Sequence, residues 1–339
     1  MTRLKEKIKD ISILDIAQRL GIEVKGKKAL CFTGHDRNPS LSFNDKDGFF
    51  KCFGCEAKGD QIALVQLFYN IDFKNALKWF IQTYNLQYST YLSEKSELRV
   101  VTSVIKQANN DFEPNSEIYE YLMNSLDLSK RGKEYLTIDR GFKPEVISRL
   151  EIKDINNPKT VFEDLSQKWG LAALEKCGLC KHENGKYKFI WWDYVIIFPF
   201  IDLNYRITYI QGRRLDLSKI NIKYVNLKGV QPQLYNLPAL IEAKPRGKIF
   251  LCEGVPDTIS AIQLHKTAIG VLGATNFRKD YLDMLSDYQI NIIPDGDQGG
   301  ETFMKSVVSA FASIGKSVQK INLGPYKDLN EYLKQNNRP

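Results

Sequence analysis

No run of apolar residues in this 339-residue chain approaches the ~20 that a membrane-spanning helix needs, which excludes a helical channel or carrier. Cysteine is sparse: six over this length do not suggest a disulfide framework, so the sequence reads as a protein of a reducing cytoplasm. Low-complexity tracts and internal repeats are missing, which leaves an ordinary globular protein. An export signal is missing as well, because the opening MTRLKEKIKDISILDIAQRL carries charge throughout and reads as an amphipathic helix. What is present, 43% hydrophobic and 26% charged residues, suffices for two or three domains, each with its own core.

Acidic residues are scarce in one stretch. From Leu203 to Lys248 there are four arginines (Arg206, Arg213, Arg214, Arg246) and five lysines (Lys219, Lys223, Lys228, Lys244, Lys248). Only Asp216 and Glu242 oppose them, an excess of +7 beside a net charge of +8 for the whole chain. Such an excess is a footprint for phosphates. On charge alone, however, a solvated lysine-rich face explains it better.

Periodicity divides the chain. Residues 1–88 open with a helix carrying Ile8, Ile11, Leu14, Ile16, Ala17 and Leu20, ended by Gly21. The strand-like pieces KKALCF, SLSFN and GFFKCF follow, then two helices, the first opening at Asp60. Residues 89–112 are polar, without a clear apolar period, and read as a linker. Residues 113–245 have helices first and strands after, with YVIIFPFID and YRITYIQGRRL as a hairpin joined by Leu-Asn. From 246 to 339 the pattern alternates: strands KIFLC, AIGVL, INIIP and SVQKINL, each followed by a helix. Alternation of this kind predicts a parallel sheet covered by helices, so the fold class is multi-domain α/β with α+β parts.

Two clusters carry chemistry. Cys31 and His35 form one half-site, and Cys52 and Cys55, in KCFGC, form another, with sixteen residues between His35 and Cys52. Cys-x-x-Cys presents two thiolates from one tight turn, and a second half-site completes a closed Cys3His zinc tetrahedron. Apolar residues are few before Ile62, so metal binding is expected to contribute to folding there. Cys177 and Cys180, with His182 nearby, offer three ligands at most and read as structural. His265, near a helix end, reads as a packing or capping residue.

The other cluster is acidic. Asp295 and Asp297 follow INIIP, Glu253 ends KIFLC, and Asp328 follows SVQKINL after a short loop. Groups at the carboxyl ends of parallel strands face one edge. No basic residue stands between Asp287 and Lys305, so a bound cation is a plausible partner for like charges in a partly desolvated place. Carboxylates at strand ends suit Mg2+, which keeps water positions for substrate phosphates. Asp-Gly is also a common turn pair, and the two aspartates taken alone could serve turn geometry.

CEGVPDTISAI followed by IIPDGDQGGE resembles the Toprim domain of primases, topoisomerases and some nucleases. Residues 31–60 resemble the Cys-His-Cys-Cys zinc domain that begins DnaG-type primases, including NPS, CFGC and KGD. YLTIDRGFKPEVI, KYVNLKG, QLYNL and the hairpin resemble the basic subdomain of the same family, so the resemblance covers nearly all of the chain in the family's order. It implies a zinc-ribbon-like domain (1–88), a mixed α+β basic subdomain (113–245) and a Rossmann-like Toprim domain with a parallel sheet (246–339). It further implies a DNA primase that copies single-stranded DNA into short RNA primers from ribonucleoside triphosphates. One structural Zn2+ and catalytic Mg2+ or Mn2+ are its implied cofactors, and no membrane is involved. By the same resemblance Glu253, Asp257, Asp295, Asp297 and Asp328 bind the catalytic metal, with Glu253 also a general base. Arg213, Arg214 and Lys223 are placed at the catalytic phosphates, with Arg140 and Lys228 among the residues that hold nucleotide or template.

The sequence departs from the family in places. The zinc half-site has three residues between Cys31 and His35 where two are usual, and Pro294 directly before Asp295 is unusual. Asn330 stands where the family's last motif has a second aspartate; it is expected to offer a carbonyl oxygen but no charge. The chain ends soon after the Toprim pattern, so a helicase-binding domain is not expected, a replicative helicase would act in trans, and a plasmid, phage or mobile element fits. Two other readings stay open: a Toprim nuclease sharing the carboxylates, and a non-catalytic single-stranded-DNA-binding protein. A topoisomerase would need a nucleophilic tyrosine on a large gate domain, which the chain lacks.

Overall fold

The computed structural model describes residues 7–336, apart from 37, 72, 85, 87–111, 219, 220, 245 and 274. The stretch read as a linker lies outside the described residues except for Phe112. The chain forms two compact units, Met1–Tyr91 and Leu92–Pro339.

In the first unit the expected N-terminal helix is broken. Helix α1 (Ile13–Arg19) starts only at Ser12, whose hydroxyl accepts from the amides of Leu14 and Asp15 at 3.2 and 3.3 Å. An N-cap serine satisfies amides that a continuous helix would have bonded otherwise, and so sets a new start. Strands β1 (Lys28–Ala29), β2 (Leu41–Asn44), β3 (Phe49–Cys52) and β4 (Lys58–Gly59) follow as an antiparallel sheet in that order. Asp60 caps α2 (Gln61–Tyr69) by accepting from Ala63, and α3 (Phe73–Tyr84) completes the unit. Before Ile62 this unit buries Ile8, Ile13, Ile16, Leu20, Leu41, Phe43 and Phe50. Strand alternation and the helix period turn them to one side, so a short list makes a continuous core.

The second unit begins with α4 (Ser116–Ser125) and α5 (Lys130–Glu134), which runs into a π turn at Tyr135–Asp139. Then come α6 (Pro144–Arg149), β5 (Lys153–Ile155), α7 (Pro158–Trp169), α8 (Leu171–Lys176) and the hairpin β6 (Cys180–Glu183) with β7 (Lys186–Phe189). Strands β8 (Val195–Ile201), β9 (Ile207–Arg214) and β10 (Tyr224–Asn226) precede α9 (Ala239–Glu242). The antiparallel order is β10-β9-β8-β5, with every residue of β8 buried. The β8–β9 turn spans Asp202 to Arg206, longer than the Leu-Asn pair expected. The Asp202 carboxylate accepts from the amides of Asn204 and Arg206 and closes it.

The last part alternates as expected: β11 (Lys248–Glu253), α10 (Val255–Gln263), β12 (Ala268–Val271), α11 (Lys279–Leu285), β13 (Gln289–Ile293), α12 (Gln298–Ala312), β14 (Gln319–Lys320) and α13 (Leu329–Asn336). All pairings are parallel, in the order β12-β11-β13-β14. The chain therefore leaves β11 toward β12 on one side and returns to β13 on the other. The crevice at this reversal, outside the carboxyl ends of β11 and β13, is where such sheets bind ligands. Strand β14 is two residues long, not seven, because the chain after Ile321 turns toward that crevice, where the Gly296 amide donates to the Lys327 carbonyl at 2.6 Å. Among the described residues no helix is long and apolar enough to cross a membrane.

Candidate functional site

Three chain segments bring acids to the crevice. Glu253 ends β11, Asp257 lies in the first turn of α10, Asp295 and Asp297 follow β13, and Asp328 precedes α13. Pro294 is buried at the strand end, where its missing N–H is not needed for the ladder. Asp297 caps α12 with Oδ1, accepting from Gly299 and Gly300 at 2.9 and 3.2 Å. Gly300 is required by close approach, since a Cβ there would stand 2.0 Å from the Asp295 carbonyl oxygen. Asp328 caps α13 by accepting from Glu331 at 2.7 Å.

Packing these acids together makes them hard to ionise. Burial, then Asp257, Glu253, Asp328 and Asp297 in turn, pushes Asp295 up to about 8. Burial, then Asp328, pushes Asp257 up to about 7. Burial and then Asp297 raise Glu253, whose Oε2 is buried with no hydrogen-bond partner. An orphaned carboxylate oxygen amid repelling acids fits a hard divalent cation, which would reverse those shifts. The set is open, though. Among the described residues only the cysteine–histidine group has its ligand atoms gathered around one point.

Two arginines share Tyr135, and one of them reaches the acidic edge. Arg140, after the π turn, donates from Nε to the Tyr135 hydroxyl at 2.7 Å and from Nη1 to Asn330 Oδ1 at 3.1 Å. The Arg213 guanidinium stands 4.9 Å from the Tyr224 ring and 5.5 Å from the Tyr135 ring, and its Nε is buried without a hydrogen-bond partner. Arg214, the next residue on β9, faces the other way. It is 3% exposed, bonds Asp193 Oδ2 through Nε and Nη2 at 3.0 and 2.6 Å, and lies 4.4 Å over Trp192. The structure thus does not bring Arg214 to the acidic edge. Lys223 and Lys228 are exposed at the two ends of β10.

Asn330 does not do what was expected of it. Its amide N–H donates to Asp257 at 3.0 Å, its Nδ2 donates to the Arg140 carbonyl and Ser260 Oγ, and its Oδ1 accepts from Arg140. With both ends of the carboxamide bonded and 2% exposure, Asn330 is a buried tie, not a metal ligand. Gln263 holds the same loop from α10, donating to Gly141 O and accepting from the Lys143 amide.

Sequence reasoning missed a second feature of this unit. A groove of about 760 Å³ is lined by Phe162, Tyr187 and Trp192 with Lys181, Lys188 and Lys228. Trp192 is 51% exposed. Of these only Lys228 was expected; the available signal was the mixing of lysines and aromatics in CKHENGKYKFIWW.

In the first unit Cys31, His35, Cys52 and Cys55 place their ligand atoms within 4.8 Å of one another. Cys31 and Cys55 sulfurs are 3.7 Å apart, and Cys52 Sγ is 3.4 Å from His35 Nε2. Gly54 allows it, because a Cβ there would stand 2.3 Å from His35 Cε1. Burial opposes ionisation of Cys52, but the Ser40 hydroxyl and the amides of Cys55 and Gly54 outweigh it and lower the thiol to about 6. Thiolates and an imidazole in a closed set fit zinc. Cys177 and Cys180 differ: burial pushes them up to about 11 and 12, and their sulfurs donate to the Leu174 and Leu171 carbonyls. His182 packs on the Tyr187 ring, and His265 takes a left-handed conformation just past α10.

Comparison with known proteins agrees with this geometry. Residues 1–96 match the CHC2 zinc finger family and residues 250–333 the Toprim-like family. The DNA primase of Clostridium acetobutylicum is 24% identical over 98% of this chain and 56% of its own length. That of Campylobacter jejuni is 29% identical over 87% of this chain and 50% of its own. The chain thus spans about half the length of the curated relatives it matches. The crystal structure of the Aquifex aeolicus primase zinc-binding and RNA polymerase domains has a TM-score of 0.57 at 23% identity, covering 99% of this chain and 82% of that one.

Proposed function

We propose that this chain, which has the domains and fold of the DnaG-type primases, is a primase that lays short RNA primers on single-stranded DNA. One feature supports the reading most: five carboxylates gather at the switch point of the parallel sheet, with Arg140 tied to Asn330 beside them, where a nucleotide's triphosphate and its metal would both find partners. In this reading Glu253, Asp295 and Asp297 hold Mg2+ or Mn2+, with Asp257 and Asp328 beside them. Such a cation supplies charge neutralisation at the phosphates and orients the attacking oxygen.

The protein's own groups do the rest. Glu253, whose Oε2 is buried with no hydrogen-bond partner, is the base that takes the proton of the attacking hydroxyl. Arg213, with its unpartnered Nε, and exposed Lys223 bind the phosphates of the incoming ribonucleoside triphosphate. Arg140 is held by Tyr135 and Asn330 and orients that edge. Arg214 acts from behind, fixing the strand that carries Arg213 and presenting Trp192. The template runs through the lysine-lined groove, where aromatic rings stack bases and lysines meet phosphates. The Cys3His domain holds one structural zinc and contacts template.

Primer synthesis by the purified protein on mixed single-stranded templates, with labelled nucleotides and Mg2+ or Mn2+, tests this. Short RNA products lost in Asp295→Ala support it. Metal-dependent cleavage of the template without synthesis overturns it in favour of a nuclease, and DNA binding without either activity in favour of a binding protein.

A further inference from the structure

The loop between Cys31 and His35 is one residue longer than the usual pair, and the structure shows how it is held. Gly34 takes φ +74°, with its amide donating to the Cys31 carbonyl at 3.0 Å. Beyond His35 the chain folds Asp36 back underneath the ligands. Asp36 Oδ1 lies 2.5 Å from His35 Nδ1. Its Oδ2 accepts from the Cys31 amide at 2.9 Å, the Ser40 amide at 3.2 Å and the Ser40 hydroxyl at 2.5 Å. Ser40 Oγ is also 3.1 Å from Cys52 Sγ, so its single proton is shared between the carboxylate and the other half-site. The Asp36 side chain is 6% exposed.

We propose that Asp36 is the positioning residue of the zinc centre, fixing His35 from behind and stapling the lengthened loop to the opposite half-site. The proposal rests on the reading of this site as a zinc site. Hydrogen-bonded to Oδ1, Nδ1 carries the proton, which makes Nε2 the ligand atom and turns the ring toward Cys52. Oδ2 sets the Cys31 backbone before metal arrives. Both oxygens must accept, so asparagine cannot replace the carboxylate: its NH2 would confront either the His35 N–H or the donors of Cys31 and Ser40.

The test uses the full chain and two metals. Zinc affinity is measured by competition with a chromogenic chelator, and ligand geometry by the visible spectrum of the Co2+ form. Asp36→Asn is expected to weaken zinc about 10- to 100-fold and to shift the Co2+ d–d bands. Ser40→Ala is expected to lose affinity a few-fold. Asp47→Asn, which removes an exposed carboxylate bonded only to Asn44 in the β2–β3 turn, is expected to leave both readouts unchanged. Wild-type affinity and spectrum in Asp36→Asn overturn the role of Asp36. A wild-type chain whose Co2+ form lacks thiolate bands overturns the zinc reading itself.

Discussion

The two candidate metal sites of this protein are built on opposite principles. The Cys3His set comes from two pairs close in sequence, joined by one antiparallel pairing in which Leu41 faces Cys52. Its soft ligands close on a single point, leaving no position for a substrate. The acidic set is gathered from the ends of two parallel strands and a loop, 75 residues apart from Glu253 to Asp328. Its ligands are hard, partly buried and spread along an edge, which is the condition for a metal that must share its coordination with phosphates.

The largest expected effect separates the two. Asp295→Asn is expected to lower primer synthesis about a hundredfold or more, with bound zinc unchanged by elemental analysis. The mirror experiment, Cys52→Ser, is expected to remove zinc and unfold residues 1–91, seen as proteolytic nicking within them. If residues 92–339 unfold together with them, the independence of the two regions is wrong.

Acidity offers a further way to break the comparison. Asp295 and Asp257 are raised to about 8 and 7. Carboxyls raised in the folded state bind protons there that the unfolded chain has released. Their contribution is thus fully present below about pH 3.8, the unfolded value, and is lost as pH rises through 7 to 8. The Mg2+-free protein should therefore melt at a lower temperature at pH 8.5 than at pH 5.5, by calorimetry. Mg2+ should raise the melting temperature more at pH 8.5, and Asp295→Asn should flatten the profile. A smaller effect is expected of Asn330→Asp. It removes two buried donations and sets a charge beside Asp257, costing about 2 kcal/mol in denaturant unfolding.

Much of this was legible beforehand. The zinc ligands stood at readable spacings, and the β/α alternation after Lys248 implied a parallel sheet whose carboxyl ends carry Glu253, Asp295 and Asp297. Other features were hidden. Asn330 looked like a weakened metal ligand because a one-dimensional motif records position, not partner; its partner Arg140 lies 190 residues away. Arg213 and Arg214 looked equivalent, yet strand alternation sends one between the Tyr135 and Tyr224 rings and the other into an ion pair with Asp193. In the groove, Lys181 and Lys188 pair across one hairpin, but nothing local marks Lys228, from the end of β10, as their neighbour.

Local chemistry alone determined the helix start at Asp60, the two cysteine-bearing half-sites, the alternation of elements and the strand-end acids, because turn, cap and period act over a few residues. Tertiary structure decided which acids share a crevice, how far their protons are held, which arginine is left for a phosphate, and that Asp36 stands behind His35. Those depend on burial and on approach between distant segments, and desolvation is a property of the folded chain.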